Sequence, residues 1–118
     1  MVTLVIRDTQ METLGEAALS RFEERLCELV RRHWQEACLA LAPSELRSVI
    51  HQGVARGRGY GLASERDLTR FVNVMFALGF EFDTDRRYAW AVDVLSLPGV
   101  PASTRMDQLC ELTARSLG

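Results

Sequence analysis

Apolar positions in the first third of the chain follow a helical period. Met11, Leu14, Ala18, Phe22, Leu26, Leu29, Val30, His33 and Ala37 recur at three- and four-residue steps and lay one apolar stripe along a helix. Glu23, Glu24, Arg25, Glu28, Arg31 and Arg32 fill the other side, with Glu28 and Arg32 a supportive pair and Glu24 and Glu28 a repulsive one. Thr9-Gln10-Met11-Glu12 reads as a capping box, in which the hydroxyl caps the first turn and Glu12 reaches back. The spacing therefore predicts a helix from about Thr9 to Ala37, roughly 40 Å long at about 1.5 Å per residue. Before it, Val2-Thr3-Leu4-Val5-Ile6 is a short β-prone run with no second convincing strand after it. Such an arm either lies over the helices or pairs with another chain.

Four further segments continue the helical pattern. Pro43 sits as the first-turn proline of a helix whose stripe is Leu46, Val49, Ile50 and Val54, dissolving in Gly53, Gly57, Gly59 and Gly61. Gly53 and Gly57, four apart, mark a place where another helix could come close. Ser64-Glu65-Arg66-Asp67 reads as a second capping box, and Leu68, Phe71, Val72, Val74, Met75, Phe76, Ala77 and Leu78 make its helix apolar almost all round. A helix of that kind is central, and Gly79 ends it. Phe80 to Asp85 forms a polar-aromatic loop leading to a short helix over about Arg86 to Leu97. Pro98-Gly99 and Pro101 then break the chain. Thr104-Arg105-Met106-Asp107 is expected to cap a last helix with Met106, Leu109, Cys110, Thr113 and Leu117 facing in. The pattern as a whole predicts an all-α, compact bundle of about five helices, one domain over residues 1–118, with a long N-terminal helix and a short extended arm.

Composition narrows the function more than the fold. At 118 residues the chain has the size of one domain, and 47% hydrophobic residues argue against intrinsic disorder. A net charge of -2 gives no electrostatic case for nucleic acid or an anionic membrane. Every basic residue is Arg, the side chain whose planar fork is favoured at protein interfaces. The apolar start is too short for a signal peptide or a membrane span, and three cysteines without a framework spacing fit a reducing compartment. A cytoplasmic protein is expected.

The candidates for chemistry are few. Gly57-Arg58-Gly59-Tyr60-Gly61 follows a helix and has no Lys-Ser/Thr pair nearby, so it reads as a helix terminator before a phosphate loop. Cys27, His33 and Cys38 are spaced too widely along one helix for a zinc site, and nothing marks Cys110 and His51 as an activated pair. Glu81, Asp83 and Asp85 alternate in one loop, but Arg86-Arg87 follow where a calcium loop would place oxygen ligands. Asp83 or Asp85 instead suits the start of the next helix, with the arginines as ion partners. No catalytic residue, metal ligand or cofactor is expected. Arg56, Arg58, Arg66, Arg70, Arg86 and Arg87 could form a face that reads acids on a partner or an ordinary solvated rim. Phe71, Met75, Phe76, Phe80, Phe82 and Trp90 read as core more readily than as a groove.

Gly59-Tyr60-Gly61-Leu62-Ala63-Ser64-Glu65-Arg66-Asp67-Leu68, Asn73-Val74-Met75-Phe76-Ala77-Leu78-Gly79, Phe82-Asp83-Thr84-Asp85 and Trp90-Ala91 resemble a family of small bacterial accessory proteins. Members are encoded beside type VI secretion spike and effector genes, often near PAAR-tip or toxin proteins. The short arm and the long Phe-, Glu- and Arg-rich helix are similar too. The resemblance carries helix caps and aromatic core positions and no catalytic motif. It implies a non-enzymatic adaptor or co-chaperone for a secretion effector, a spike-tip protein or an effector chaperone. The alternative is an immunity protein that inhibits a cognate toxin by binding it. The expected docking residues are Val2, Leu4 and Ile6 of the arm, with Arg58, Arg66, Arg70, Phe82, Asp83, Asp85 and Trp90 around the two central turns. A homodimer closed by the same surfaces is also compatible with the pattern.

Overall fold

A computed structural model describes residues 15–118. The described chain is all-helical and contains no strand. Its elements are α1 (Glu16–His33), α2 (Gln35–Leu39), α3 (Pro43–Gly59), α4 (Glu65–Leu78), two 3-10 turns (Phe82–Thr84 and Arg86–Tyr88), α5 (Ala89–Leu95) and α6 (Ala102–Leu117). The expected arm at Val2–Ile6 and the capping box at Thr9–Glu12 lie outside the described residues.

The apolar patterns become one core. Phe22, Leu26 and Val30 of α1, Leu46, Ile50 and Val54 of α3, and Leu68, Phe71, Val72 and Met75 of α4 are all buried together. Phe82, Ala91, Leu95, Met106 and Leu109 complete the cluster. α4 is the central element, packed against α1, α3 and α6. Its N-terminus is capped as the sequence predicts, with Ser64 Oγ accepting from the Asp67 backbone N–H at 3.1 Å. Gly79 ends it at φ +134, a conformation that side chains rarely adopt. α3 opens at Pro43, where Glu45 accepts the Ala42 N–H at 2.7 Å.

Four sequence expectations are corrected. The first long helix does not continue to Ala37: it breaks at Trp34, whose backbone leaves helical geometry at φ -125, ψ 54, and α2 follows as a separate turn-and-a-half. The cause is tertiary. The Trp34 indole turns to α4, donating from Nε1 to Asn73 Oδ1 at 3.0 Å and stacking on Phe76 with ring centroids 6.2 Å apart. The last helix starts at Ala102, directly after Pro101, so Thr104 lies inside its first turn instead of capping it. Leu117, expected to face in, is 61% exposed. The segment read as one helix over Arg86–Leu97 is a 3-10 turn followed by α5.

The glycine run does less fraying and more packing than its composition suggests. α3 continues through Gly53 and Gly57 to Gly59, and both Gly53 and Gly57 are buried against α4. A Cβ on Gly57 would come within 2.8 Å of Leu68 Cδ2, inside van der Waals contact. Gly59 has nothing within 4 Å. The contrast gives a direct test. Gly57→Ala should lower stability by about 1–3 kcal/mol through overpacking, while Gly59→Ala should be neutral or slightly stabilising. Urea unfolding of the two variants measures both, and a neutral Gly57→Ala would show that α3 and α4 are not in close contact there.

Candidate functional site

Helix direction defines a cleft among the described residues. Arg25 of α1 meets Glu65 at the start of α4 at 3.0 Å, and Trp34 at the end of α1 meets Asn73 further along α4, so α1 and α4 run parallel. Arg70 of α4 bonds Asp107 Oδ1 at 2.6 Å and the Ser103 carbonyl at 3.1 Å near the start of α6, and the two helices then advance together. α3 is antiparallel to both α1 and α4, with His51 beside Glu23 and Gly53 beside Met75. α1 and α6 therefore flank α4 on one side of the bundle and leave a slot between them.

That slot is an open cleft of about 710 Å³. Leu29, His33 and Trp34 form one wall, and Cys110, Thr113, Ala114 and Leu117 the other. Arg70, Asn73, Val74 and Ala77 of α4 form the floor. The lining is mainly apolar, with Asn73 exposed at the mouth and already held by Trp34. At this end of the molecule α1 and α6 both terminate, and each carries basic side chains in its last turn: Arg31, Arg32 and His33 on α1, Arg115 on α6. Two exposed apolar side chains stand at the same end, Leu117 on the cleft wall and Leu39 (86% exposed) on α2 shortly after Trp34.

All three thiols are shifted in the same direction. Burial pushes the Cys110 thiol up, against the lowering effect of the nearby Arg70, and burial does the same to Cys27 and Cys38. His51 is set against Glu23 on the α1–α3 side, and Cys110 lies in the cleft, so the structure does not bring that pair together. No group of three His, Cys, Asp or Glu side chains among the described residues could hold a metal ion. No described helix is long and apolar enough to cross a membrane.

The expected docking residues separate into distinct environments. Phe82 is in the core, against Phe71, with no surface to offer a partner. Asp83 is 4% exposed and consumed by internal contacts: Arg56 donates through Nε and Nη2 at 3.3 and 2.9 Å, and the Tyr60 hydroxyl donates at 2.9 Å. Arg56 also donates to the Phe80 carbonyl at 2.6 Å. Asp85 accepts the Arg87 N–H at 2.9 Å and pairs with its guanidinium, which is the capping role read for this loop. Arg70 is shared between Asp67 and Asp107, half-buried at the edge of the cleft floor. Arg66 is exposed beside a shallow recess with Ser64 and Ser103. Arg58 is half-buried in another recess with Gly61 and Leu62. Trp90 packs edge-on against Tyr88 and is half-buried. Val2, Leu4 and Ile6 lie outside the described residues.

Part of the arginine face is thus spent on ion pairs within the chain. Arg56, Arg70 and Arg87 each hold an Asp, and Arg105, not singled out from sequence, donates to the carbonyls of Tyr60 at 2.8 Å, Val100 at 3.0 Å and Leu95. The cleft was also missed. Its residues fall on three helices, and the only local signal was the apolar surplus of α4, which continues past what α3 can cover.

No protein-family model, no curated protein and no solved structure matches the chain.

The Arg56–Asp83–Tyr60 group has a defined pH signature. Burial alone would raise the Asp83 carboxyl, but hydrogen bonds from Arg56 and Tyr60 and the Arg56 charge outweigh it and hold it below its ordinary value. Burial, reinforced by the Asp83 hydrogen bond, pushes the Tyr60 hydroxyl up to about 12. A depressed carboxyl contributes stability above its unfolded value near 4 that is lost as pH falls through the folded value. A raised phenol contributes stability below about pH 10 that is lost between there and about pH 12. Asp83→Asn should cost about 2 kcal/mol at pH 7, less than a fully buried pair because Arg56 is partly solvated. The cost should shrink as pH drops below about 4. Denaturation followed from pH 3 to 7 tests this, and a cost independent of pH would remove the carboxylate from the account.

Proposed function

We propose that the chain is a non-enzymatic, cytoplasmic protein-binding adaptor or co-chaperone that assists a type VI secretion effector, a spike-tip protein or an effector chaperone. The observation that carries the binding role is the cleft between α1 and α6, floored by α4 and extended by the exposed Leu117. Exposed apolar surface of this kind marks protein-docking sites as well as ligand grooves, and the first suits an adaptor. The cysteines support a non-catalytic reading, since burial raises all three thiols and reduces their thiolate content. The secretion setting is supported by the resemblance of the Gly59–Leu68, Asn73–Gly79 and Phe82–Asp85 segments.

The Arg66 surface and the Val2–Ile6 arm remain second contacts within this reading. They stand apart from the cleft in the test. Tagged protein recovered from the native bacterium should bring down a secretion effector, spike-tip protein or effector chaperone in a stoichiometric complex. Ala77→Glu, which places a carboxylate on the half-buried cleft floor, should weaken that complex at least about tenfold while leaving the thermal midpoint within a few degrees. Arg66→Glu and deletion of residues 2–6 should have smaller effects. A chain recovered without any stoichiometric partner would sink the proposal. Rescue of growth against a co-expressed toxin, with no change in delivery, would replace it with the immunity role.

A further inference from the structure

We infer that Trp34 is the latch of a two-state hinge: α1 and α2 are two parts of one helix, held apart by the contact of Trp34 with α4, and release of that contact joins them. The sequence on both sides of the break favours continuation. From Arg31 to Leu41 the chain carries no Gly or Pro, and the next Pro is Pro43, where α3 opens. Arg, Gln, Glu, Ala and Leu, all strong helix formers, make up most of the stretch. Val30, Trp34, Ala37, Cys38 and Leu41 keep the three- and four-residue steps of α1, so a joined helix carries one continuous apolar face.

The helical ladder is interrupted over a single turn. The Trp34 N–H donates to the Val30 carbonyl at 2.7 Å and closes α1, and the Cys38 N–H donates to the Trp34 carbonyl at 3.0 Å and opens α2. The bonds between, from Gln35, Glu36 and Ala37 to Arg31, Arg32 and His33, are not made. Joining the helices forms all three and sets Arg32 and Glu36, of opposite charge, one turn apart. What opposes this is tertiary. Trp34 Nε1 donates to Asn73 Oδ1 at 3.0 Å, the indole stacks on Phe76 at 6.2 Å, and Cys38 and Leu41 pack against the core. Asn73 is exposed, so water competes for its oxygen and that bond is a modest one. Three backbone bonds set against one exposed side-chain bond, one ring contact and two half-buried side chains bring the two states close in free energy, the condition for a switch. Trp34 and Asn73 both line the cleft, so the hinge moves part of its wall whether or not a partner docks there.

Amide exchange and Cα chemical shifts of the full chain, isotopically labelled, test the hinge. In the wild type, the Gln35, Glu36 and Ala37 amides should exchange at nearly unprotected rates, and Trp34 should show a non-helical Cα shift. Asn73→Ala removes the acceptor at an exposed position of α4 and should slow exchange at those three amides about threefold. Trp34→Ala removes the ring contact as well. It should slow exchange at least about tenfold and move residue 34 into the helical shift range. Adding Gln35→Gly to Trp34→Ala should restore fast exchange at Glu36 and Ala37, because Gly penalises the joined helix. Protection of the three amides in the wild type would overturn the inference. So would continued fast exchange in both variants, whether the break persists or Cys38 and Leu39 lose their helical shifts because α2 melts. If Trp34→Ala does not fold, Asn73→Ala decides by the same criterion.

Discussion

The contact between α3 and α4 is the constraint on which the rest of the molecule depends. Two glycines four residues apart let the backbones approach until Met75 and Leu68 fill the space a methyl group would take. That closeness buries the apolar side of α4 facing α3 and leaves the remaining apolar positions to be shared between α1 and α6. α1 packs mainly on α3, while α6 packs on α4 and α5. The cleft is therefore a by-product of how α4 is divided, and its floor is as fixed as the core beneath it, where Val74, Phe71 and Met75 are buried.

The segment from Gly79 to Pro101, which carries the two 3-10 turns and α5, is held by two arginines of different design. Arg56 reaches from the last turns of α3 to a buried carboxylate and a carbonyl at Phe80, so the loop is fixed by a charge pair with added hydrogen bonds. Arg105 uses no carboxylate. Its guanidinium gathers carbonyls from Tyr60, Leu95 and Val100, joining the end of α3, the end of α5 and the start of α6. Five donors on a rigid plane suit this bracing, which a Lys ammonium would perform less well. The absence of Lys from the sequence thus has a structural counterpart at these positions, even where no partner is involved.

Local chemistry made much of the fold legible. The cap at Ser64, the first-turn Pro43, the terminator Gly79 and the close approach at Gly53 and Gly57 were readable because each depends on residues within a turn or two. Trp34 was not readable. No Gly or Pro marks the break, and the hydrogen bond that decides it runs from the Trp34 indole to Asn73 Oδ1, 39 residues away. The site was legible only in part. Arg66 lies on the surface and Asp85 in a cap; Phe82, named as a docking residue although its pattern read as core, is core, and Asp83, which looks like a loop residue, is buried. Alternating acids next to arginines cannot show which of them faces inward. That depends on Tyr60 and Arg56 from another helix.

The parallel arrangement of α1, α4 and α6 also governs the order in which the molecule can assemble. Antiparallel α3 and α4 are joined by a short turn and close at little entropic cost. Parallel neighbours require the chain to travel back the full length of the bundle before they can meet. The ties that set the cleft walls accordingly span 40, 39 and 37 residues, at Arg25–Glu65, Trp34–Asn73 and Arg70–Asp107. Loop closure must precede any gain from such contacts, so they form late and from an already condensed α3–α4 hairpin. The same walls are the ones the chain can release without dissolving that hairpin. The walls can then loosen while the floor stays folded.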